Sequence, residues 1–569
     1  MRSHDWFKRG GLHGFIYRSW VYNGGLTRES LDGRPVIGIA NSWSELTPCN
    51  RNLRQLADLV KQGVIEAGGL PLEFPVMSLG ETLMRPTAMM FRNLSAMAIE
   101  ETIRANPMDA VVLLTGCDKT TPAAMMGAAS AGLPSILLSA GPMTKSFHNG
   151  APISVTQMWK FSEERRAGRM SDEEFAEIEL KLNASEGHCP IMGTASTMAS
   201  LVEILGLSLP GNAAAPATSA ERRRLAVETG KAAVLAARSD EGIASYCDRR
   251  SLQNAIVLLS ALGGSTNAVI HLIAFARRIG IQLTVDDFDK LSDAVPNLAN
   301  IEPSGHFAME DYYRAGGTSV VINELIKGSL VDGTSRNFLG HSLSSLYASS
   351  GTPDQKVIFS VDQPYKNTKS IAVVRGNLAP MGAIVKVSAA SKELLEHEGP
   401  AYVFDNVDVM RRAMADPNFD VPDDTVLVLR NCGPKGYPGM AEVANMPLPK
   451  KVLERGVRDM VRVSDARMSG SAFGTVVLHV SPEASSGGPL SLVETGDRIR
   501  LSLHSRSIDL LVDEAILDKR RAELQSFSSD RSVGGYRELY AQFVNEAADG
   551  ADFSFLVHQR PVSLPLDNH

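Results

Sequence analysis

The strongest constraint on the fold is a strand–loop–helix pattern that occurs three times between residues 36 and 131. Apolar runs at 36–41, 72–77 and 110–114 each have the composition of a buried strand. Each run is followed by a polar loop and then by a segment with apolar or small residues at helical spacing. Strands that alternate with helices in this way form a parallel sheet with crossover helices. The first part of the chain is therefore predicted to be an α/β/α domain.

Residues with metal-binding chemistry follow each of these runs. Cys49 follows the first, Glu81 the second, and Cys117-Asp118-Lys119 the third. The carboxyl ends of parallel strands meet at one edge of the sheet, where ligands of open α/β sheets gather, so we expect these side chains to lie together. The alternative for the third loop is an ordinary connection with a buried, inert cysteine, which is the commoner role of an isolated thiol.

Two cysteines are predicted to lie at helix N-termini. Thr121 and Pro122 are typical of an N-cap and a first helical residue, so a helix should begin shortly after Cys117. Cys189 precedes a second helical run of small residues. A helix N-terminus stabilises an anion, and we therefore expect both thiols to have thiolate character.

The pattern of the sequence changes near residue 345. Residues 221–345 look mainly helical, whereas short apolar runs separated by Gly- and Pro-rich turns follow a linker at 349–353. These runs lie at 357–361, 370–374, 383–387 and 425–429. We therefore predict a C-terminal β-rich domain, a barrel or sandwich. The domains are placed at 1–355 and 356–569.

Two Gly-rich polar stretches, 430–442 and 464–474, stand out in this second domain. Glycine at that density lets the backbone approach a ligand closely, although two hairpin connections would explain the same pattern. The proline-containing tail at 560–569 is predicted to be extended, on a surface or across a partner subunit.

Composition excludes several functional classes. The chain has 569 residues, enough for two domains, and a formal net charge of −7 with no long basic run, so neither nucleic acid nor an anionic membrane surface is an expected partner. The N-terminus lacks a signal-peptide core, and no apolar run approaches the roughly 20 residues of a membrane helix, so we expect a cytoplasmic protein.

The five cysteines are an odd, sparse set without a C-x-x-C pair. This argues against a disulfide framework and against a local zinc or ferredoxin-type motif. Any shared metal site must therefore be assembled by folding from distant loops. Cys247, which has no ligand-like neighbours in sequence, is predicted to be structural.

With these stretches identified, the chain resembles the dihydroxy-acid and sugar-acid dehydratase family of iron–sulfur, Mg-dependent enzymes. The matching stretches occur in the family's order: Pro48-Cys49-Asn50, Gly116-Cys117-Asp118-Lys119-Thr120, Cys189-Pro190, Gly193-Thr194-Ala195-Ser196-Thr197-Met198, Gly376-Asn377-Leu378-Ala379-Pro380, Gly433-Pro434-Lys435-Gly436, Pro438-Gly439-Met440, Ser469-Gly470 and His479-Val480-Ser481-Pro482-Glu483-Ala484. The forms at 430–433, 464–470 and 159–162 are most similar to the sugar-acid branch, in particular to its arabinonate and xylonate dehydratases.

The resemblance implies a hydro-lyase that removes water from C2–C3 of a sugar acid, a pentonate such as arabinonate or xylonate, to give a 2-keto-3-deoxy acid. It places a [2Fe–2S] cluster on Cys49, Cys117 and Cys189, with one iron open as a Lewis acid for the C3 hydroxyl. It also implies a Mg²⁺ ion that chelates the carboxylate and the C2 hydroxyl. The residues implied around this ion are Glu81, Asp118, Glu442 and Lys119. Because an amine is a poor ligand for Mg²⁺, the lysine would act as the carboxylated form found in several relatives.

Further roles follow from the same resemblance. Ser469 is the base that takes the C2 proton, and Lys119 belongs to the catalytic set. Ser471 and the terminal His569, the latter reaching a neighbouring subunit, are candidate substrate contacts. The site should lie between the two domains and close over both metals, in a homodimer or homotetramer.

Three alternatives use part of this pattern. One is the dihydroxy-acid dehydratase of branched-chain amino-acid synthesis. A second is a non-catalytic iron–sulfur redox or sensor protein, which would need the cysteines but not Glu81, Asp118 and Glu442. A scaffold with buried thiols would leave the Gly-rich stretches without a function. The lack of a dedicated basic cluster for phosphate weighs against 6-phosphogluconate as the substrate.

Overall fold

The computed structural model describes residues 1–166, 168–524 and 534–556. The strands in chain order are β1 (Val36–Asn41), β2 (Leu70–Pro75), β3 (Ala110–Thr115), β4 (Ser135–Ser139), β5 (Ser146–His148), β6 (Ala151–Ile153), β7 (Ala372–Val374), β8 (Gly382–Val385), β9 (Glu396–Phe404), β10 (Val426–Leu429), β11 (Arg462–Ser464), β12 (Val476–Ser481), β13 (Arg498–Ser502) and β14 (Ser507–Leu510).

The α-helices in chain order are α1 (His4–Phe7), α2 (Gly11–Tyr22), α3 (Arg28–Leu31), α4 (Leu53–Glu66), α5 (Ala88–Ala105), α6 (Thr120–Ala131), α7 (Met158–Arg166), α8 (Asp172–Lys181), α9 (Thr194–Ile204), α10 (Ala220–Ser239), α11 (Ile243–Tyr246), α12 (Arg249–Ala261), α13 (Asn267–Arg278), α14 (Val285–Ser292), α15 (Met309–Arg314), α16 (Gly317–Lys327), α17 (Leu343–Tyr347), α18 (Val407–Ala415), α19 (Lys450–Glu454), α20 (Glu514–Glu523) and α21 (Gly535–Phe543).

The N-terminal half is built on a four-stranded, fully parallel sheet in the order β2-β1-β3-β4, as predicted. Because the strand order reverses between β2 and β3, right-handed crossovers place α4 on one face and α5 and α6 on the other. The strands β1, β3 and β4 are buried along their whole length, which explains their uninterrupted apolar sequence. The edge strand β2 begins two residues earlier than the predicted run at 72–77.

The helix after β3 is packed as tightly as its small residues suggest, but it begins earlier than expected. A Cβ atom on Gly127 would lie 2.6 Å from the carbonyl oxygen of Ala96, so α5 and α6 approach at a distance that only glycine allows. Helix α6 starts at Thr120 with Lys119 as its N-cap, so the prediction of Thr121 as N-cap is wrong. The Thr120 hydroxyl donates to the carbonyl of Cys117 at 2.7 Å, and the helix therefore has its N-cap two residues before the predicted one.

Helices α10 to α17 confirm the predicted helical region, and the Gly-rich break near residue 263 separates α12 from α13. Cys247 is buried in the large apolar core of this half, as its structural role requires. Among the described residues, none of the helices has the length and apolar character needed to cross a membrane.

The C-terminal half is a barrel-like sheet of eight strands in the order β14-β13-β9-β10-β11-β12-β8-β7. Its two edge strands meet, because the amide of Arg375 donates to the carbonyl of Arg506 at 2.9 Å and the amide of Ile508 donates to the carbonyl of Arg375 at 2.8 Å. Closure removes the exposed edges that an open sheet would present. The predicted β-rich fold is therefore confirmed as a barrel.

One predicted strand does not join this barrel. The run at 357–361 makes only an isolated bridge, between Ile358 and Ala299, and its Val357 and Ile358 side chains pack into the N-terminal core. The run is apolar because it covers the helical half, and this use of an apolar segment cannot be distinguished from a strand by its pattern alone.

The segment that ends the described chain returns to the N-terminal half. Tyr540 and Phe553 pack with Met89 and Met90 of α5. The buried guanidinium of Arg92 donates to the carbonyls of Gly550 and Ala551 at 2.9 and 2.8 Å. The two halves are thus joined by apolar contacts and by buried hydrogen bonds behind the edge of the parallel sheet.

Candidate metal centre

The predicted residues that follow β1 and β3 are brought together by one buried asparagine. Cys49 lies in the short 3₁₀ turn Pro48–Asn50, and the Asn50 side chain accepts a hydrogen bond from the amide of Cys117 at 2.7 Å. A Cβ atom on Gly116 would lie 2.6 Å from the carbonyl oxygen of Cys49, so the two loops touch. Cys49 and Cys117 are both buried.

The three predicted cluster cysteines form one electrostatic group. A hydrogen bond with Cys49 and burial raise the pKa of Cys117 far above its ordinary value. Burial and then the negative charge of Cys49 and Asp118 raise the pKa of Cys189. The expectation of thiolates at helix N-termini is therefore wrong for the protein without a cation. The reason is that the hydrogen bond to Cys49, burial and the acidic neighbours together outweigh the helix ends, and that α9 starts only at Thr194, beyond Cys189.

The carboxylates of Glu81, Asp118 and Glu442 converge beside these thiols. One oxygen of each lies within 4.8 Å of the others. Glu81 and Asp118 come from the edge of the parallel sheet and Glu442 from the barrel half, so the cluster spans the two halves. Lys119 is fully buried at its centre, in an ion pair with Asp118 and 3.5 Å from both Glu81 and Glu442.

Charge balance explains the protonation of this group. Burial and Arg467 oppose the positive charge of Lys119, but the three carboxylates outweigh them and raise its pKa. Burial also opposes the charge of Glu81, yet Lys119 and Arg467 lower its pKa. Glu442 differs because burial, with the charges of Glu81 and Asp118, raises its pKa despite the same two cations.

Two residues of the site were not identified from the sequence. Arg467 is fully buried and donates to Glu442 at 2.9 Å and to the carbonyl of Met440 at 2.7 Å. The amide of Asn267 donates to the same Glu442 oxygen at 3.0 Å. Arg467 lies in the Gly-rich stretch 464–474 and Asn267 follows the glycines at 263 and 264, but neither pattern shows which side chain faces the carboxylates.

Ser469 and Ser471 form a hydroxyl pair on the segment that follows Arg467, the residue that donates to Glu442. Their Oγ atoms are 2.9 Å apart, and the amide of Ser471 donates to the Oγ of Ser469 at 3.3 Å. A Cβ atom on Gly470 would lie 2.7 Å from the amide nitrogen of Thr194, so this loop docks on the first turn of α9. His569, the other predicted substrate contact, lies outside the described residues.

The donor set fits a hard divalent cation. Three carboxylates face one another, and Glu81 Oε2 has no hydrogen-bond donor within normal distance among the described residues. Oxygen ligands of this kind suit Mg²⁺, whose octahedral shell a carboxylated Lys119 would extend. The adjacent thiols offer soft sulfur ligands, which suit an iron–sulfur cluster. A cation bound to their sulfur atoms would favour the thiolate forms of Cys117 and Cys189, because the pKa of both thiols is raised by burial and by their neighbours.

Comparison with known proteins gives a consistent result over the whole chain. Residues 34–346 match the N-terminal model of the dihydroxy-acid/6-phosphogluconate dehydratases, and residues 356–551 match their C-terminal model. The chain is 46% identical to the L-arabinonate dehydratase of Rhizobium leguminosarum bv. trifolii, over 100% of this chain and 98% of the relative. It is 42% identical to the 6-deoxy-6-sulfo-D-gluconate dehydratase of Pseudomonas putida (99% and 98%) and 37% identical to the D-xylonate dehydratase of Caulobacter vibrioides (100% and 98%).

Proposed function

The chain belongs to the dihydroxy-acid/6-phosphogluconate dehydratase family, in its sugar-acid branch, and is a hydro-lyase; on that premise we propose that its substrate is a pentonate, arabinonate before xylonate. The product would be the 2-keto-3-deoxy acid formed by loss of water from C2–C3. The observation that carries this proposal is the contact between two chemically different ligand sets, in which Cys117 belongs to the thiols and Asp118 to the carboxylates.

We propose that these sets hold two cofactors. Cys49, Cys117 and Cys189 would hold a [2Fe–2S] cluster. The residues proposed for Mg²⁺ are Glu81, Asp118, Glu442 and a carboxylated Lys119. When bound, the two cofactors supply Lewis acids for the C3 hydroxyl and for the carboxylate with the C2 hydroxyl.

Ser469 is proposed to remove the C2 proton at its Oγ atom. A serine hydroxyl is a weak acid, so its anion must be stabilised by its surroundings. The hydroxyl of Ser471, 2.9 Å away, can donate to that anion and orient it. The guanidinium of Arg467, which donates to Glu442 in the adjoining carboxylate cluster, would favour the anion further, because unlike charges attract.

We favour a sugar acid over the alternatives left open by the sequence. Three relatives that match 99–100% of the chain are named arabinonate, sulfogluconate and xylonate dehydratases, whereas the relatives named dihydroxy-acid dehydratases match 91–93% of it. We further propose that the protein is a homodimer or homotetramer in the cytoplasm, where thiols stay reduced. The domain division is proposed at residue 355.

His569 is proposed as a substrate contact. Deletion of residues 561–569 should raise KM for the sugar acid, and an unchanged KM would remove His569 from this role.

One combined experiment tests the proposed function. The protein, purified without oxygen, should be brown, contain iron and sulfide, and form 2-keto acid from a panel of aldonates with the highest kcat/KM for a pentonate. A colourless but fully active preparation would disprove the cluster, and a higher kcat/KM for a hexonate would disprove the pentonate assignment.

Ser469→Ala tests the base within the same experiment. It should keep the colour and the fold but lose turnover by about 10²-fold or more. Ser505→Ala is a matched control, because Ser505 and Ser507 form an exposed hydroxyl pair with the same 2.9 Å separation. Activity retained in Ser469→Ala would exclude Ser469 as the base.

A further inference from the structure

Glu442 is held differently from the other carboxylates of the metal centre. It lies on the segment 430–442, called here the Gly-rich loop, well beyond the end of β10 at Leu429. Two non-glycine residues of this loop, Asn431 and Met440, have left-handed backbone conformations with φ of 61° and 58°. Such conformations are unfavourable for residues with a Cβ atom and persist only where the surroundings impose them.

Two buried carboxylates hold the first half of the loop by its backbone amides. Asp465 accepts from the amides of Asn431 and Cys432 at 3.1 and 3.0 Å. Glu483 accepts from the amides of Lys435 and Gly436 at 2.7 and 3.0 Å. Both side chains are fully buried.

The path from these anchors to Glu442 consists of direct hydrogen bonds. The amide of Met440 donates to the carbonyl of Gly433 at 3.0 Å, inside the anchored half. The carbonyl of Met440 accepts from Arg467, which also binds the Glu442 carboxylate. Asp465 and Arg467 belong to the same segment after β11, so one backbone supports both ends of the Gly-rich loop.

We propose that Glu483 and Asp465 are positioning residues, which fix the Gly-rich loop so that Glu442 faces Glu81 and Asp118 and the divalent cation binds tightly. Neither side chain belongs to the carboxylate cluster itself. The inference rests on the proposed function for the identity of the cation, but it concerns how the chain presents Glu442.

The electrostatics of the two anchors agree with a role in function rather than in stability. Burial and the nearby charges of Asp465 and Glu546 raise the pKa of Glu483 to about 8. Burial also raises the pKa of Asp465, to about 6. Two acids buried side by side destabilise the folded state, and a loop that needed only to be compact could be packed by apolar side chains.

The test measures metal binding directly, with Mn²⁺ as a spectroscopic probe for the Mg²⁺ site in the cluster-loaded protein. Glu483→Ala should weaken Mn²⁺ binding about 10- to 100-fold, the usual effect of removing a residue that orients a ligand. Glu483→Gln keeps an acceptor oxygen for one of the two loop amides, and should restore only part of the affinity. The visible spectrum of the cluster should be the same in all variants.

Glu203→Ala is the matched control. Glu203 is another buried glutamate that accepts two backbone amides, those of Gly211 and Ala213, but it lies in the helical half and outside the metal centre. This control should change Mn²⁺ affinity by less than about twofold. An equal loss in Glu203→Ala, or wild-type affinity in a folded Glu483→Ala, would overturn the proposal.

Two further measurements keep the test decisive. If Glu483→Ala does not fold, Asp465→Asn takes its place, since it should weaken Mn²⁺ binding in the same direction while keeping the shape of the side chain; unchanged affinity would contradict the proposal. Asp118→Asn separates this inference from the proposed function. If Asp118→Asn binds Mn²⁺ as tightly as wild type does, the proposed metal site is disproved, and the positioning role with it.

Discussion

The edge of the parallel sheet and the loops of the barrel contribute to the same candidate metal centre by two different structural means. Cys49, Glu81 and Cys117 to Lys119 follow the strands β1, β2 and β3, whose backbones are fixed by the ladders of a buried sheet. Glu442 and Ser469 lie on Gly-rich loops. The loop of Glu442 is held by the side chains of Asp465, Glu483 and Arg467, and the loop of Ser469 docks on the first turn of α9.

This difference predicts how each region responds to substitution. Strand ends keep their geometry as long as the sheet is folded, so the largest losses there are expected at the reacting groups themselves. A loop held by individual side-chain hydrogen bonds can lose them one at a time, each worth about 1–3 kcal/mol when a buried partner is removed. We therefore expect near-complete losses at the sheet edge and graded losses around the barrel loops.

The largest effect is expected at Asp118, which joins the two ligand sets at the sheet edge. Asp118→Asn removes the charge that pairs with Lys119 and faces Glu81 and Glu442. Turnover should fall by about 10³-fold, as when a preorganised electrostatic group is lost from an active site. The visible spectrum should stay that of wild type; a colourless variant would show that Asp118 also supports the thiols, and that the two sets are not separable.

A smaller, graded effect is expected on the barrel side at Arg467. Arg467→Met removes the donor to Glu442 and to the carbonyl of Met440, and should weaken Mg²⁺ activation about 10- to 100-fold. Arg467→Lys should recover only part of this loss, because an ammonium cannot reproduce the guanidinium fork.

The control for Arg467 is Arg462→Met. Arg462 is also buried and lies on β11, where it pairs with Asp459 rather than with the metal centre. We compare the two variants by their KM for Mg²⁺, which should not change in Arg462→Met. A complete loss in Arg467→Met, equal to that of Asp118→Asn, would contradict the graded behaviour expected of the loops.

The sheet edge was largely predictable from the sequence because its signals are local. Three strand–loop–helix units place their loop residues on one edge by topology alone, and that argument brings Cys49, Glu81 and Asp118 together without any resemblance. Glu442 and Ser469 needed the resemblance, because nothing local indicates which side chain of a Gly-rich stretch turns inward. The run at 357–361 shows the same limit, since its partners lie in the other half of the chain.

The roles of Arg467, Asn267 and Glu483 could not be predicted from their own sequence. Each acts through a contact with residues far away in the chain, and Glu483 acts through the backbone amides of Lys435 and Gly436, which carry no side-chain signature. The thiolate expectation failed for a related reason. Helix ends are local, whereas the pKa of Cys189 is raised first by burial in the folded site and then by groups in other loops, Cys49, Asp118 and Glu442.

A local packing change should test the rigidity of the sheet edge. Gly116→Ala would place a Cβ atom 2.5 Å from Asn50 Oδ1 and 2.6 Å from the carbonyl of Cys49, which forces the two cysteine loops apart. Overpacking of this kind costs about 1–3 kcal/mol, so the iron and sulfide content of the purified protein should fall while the fold remains. Gly24→Ala, where the new Cβ atom would only touch the carbonyl of Val21 at 3.5 Å, is the control.

The smallest effect concerns the stability of the barrel side as a function of pH. Because burial, with Asp465 and Glu546, raises the pKa of Glu483 to about 8, the folded protein keeps a proton that the unfolded chain releases near its ordinary value of 4.5. Binding of this proton therefore stabilises the folded protein fully below about pH 4.5, and this stabilisation is lost as the pH rises towards 8. Glu483→Gln does not titrate, so it should lose less stability than wild type between about pH 6 and about pH 8, by roughly 2 kcal/mol.

Urea unfolding at the two pH values measures this difference, with Glu228→Gln, an exposed substitution on α10, as the control that should behave as wild type. A parallel pH dependence in Glu483→Gln and wild type would mean that Glu483 is ionised throughout and stabilised by the amides of Lys435 and Gly436. The Gly-rich loop would then be held without loss of stability, and the barrel side would be as rigid as the sheet edge. The predicted result instead requires that the loop presenting Glu442 is held by a group that destabilises the fold whenever it is charged.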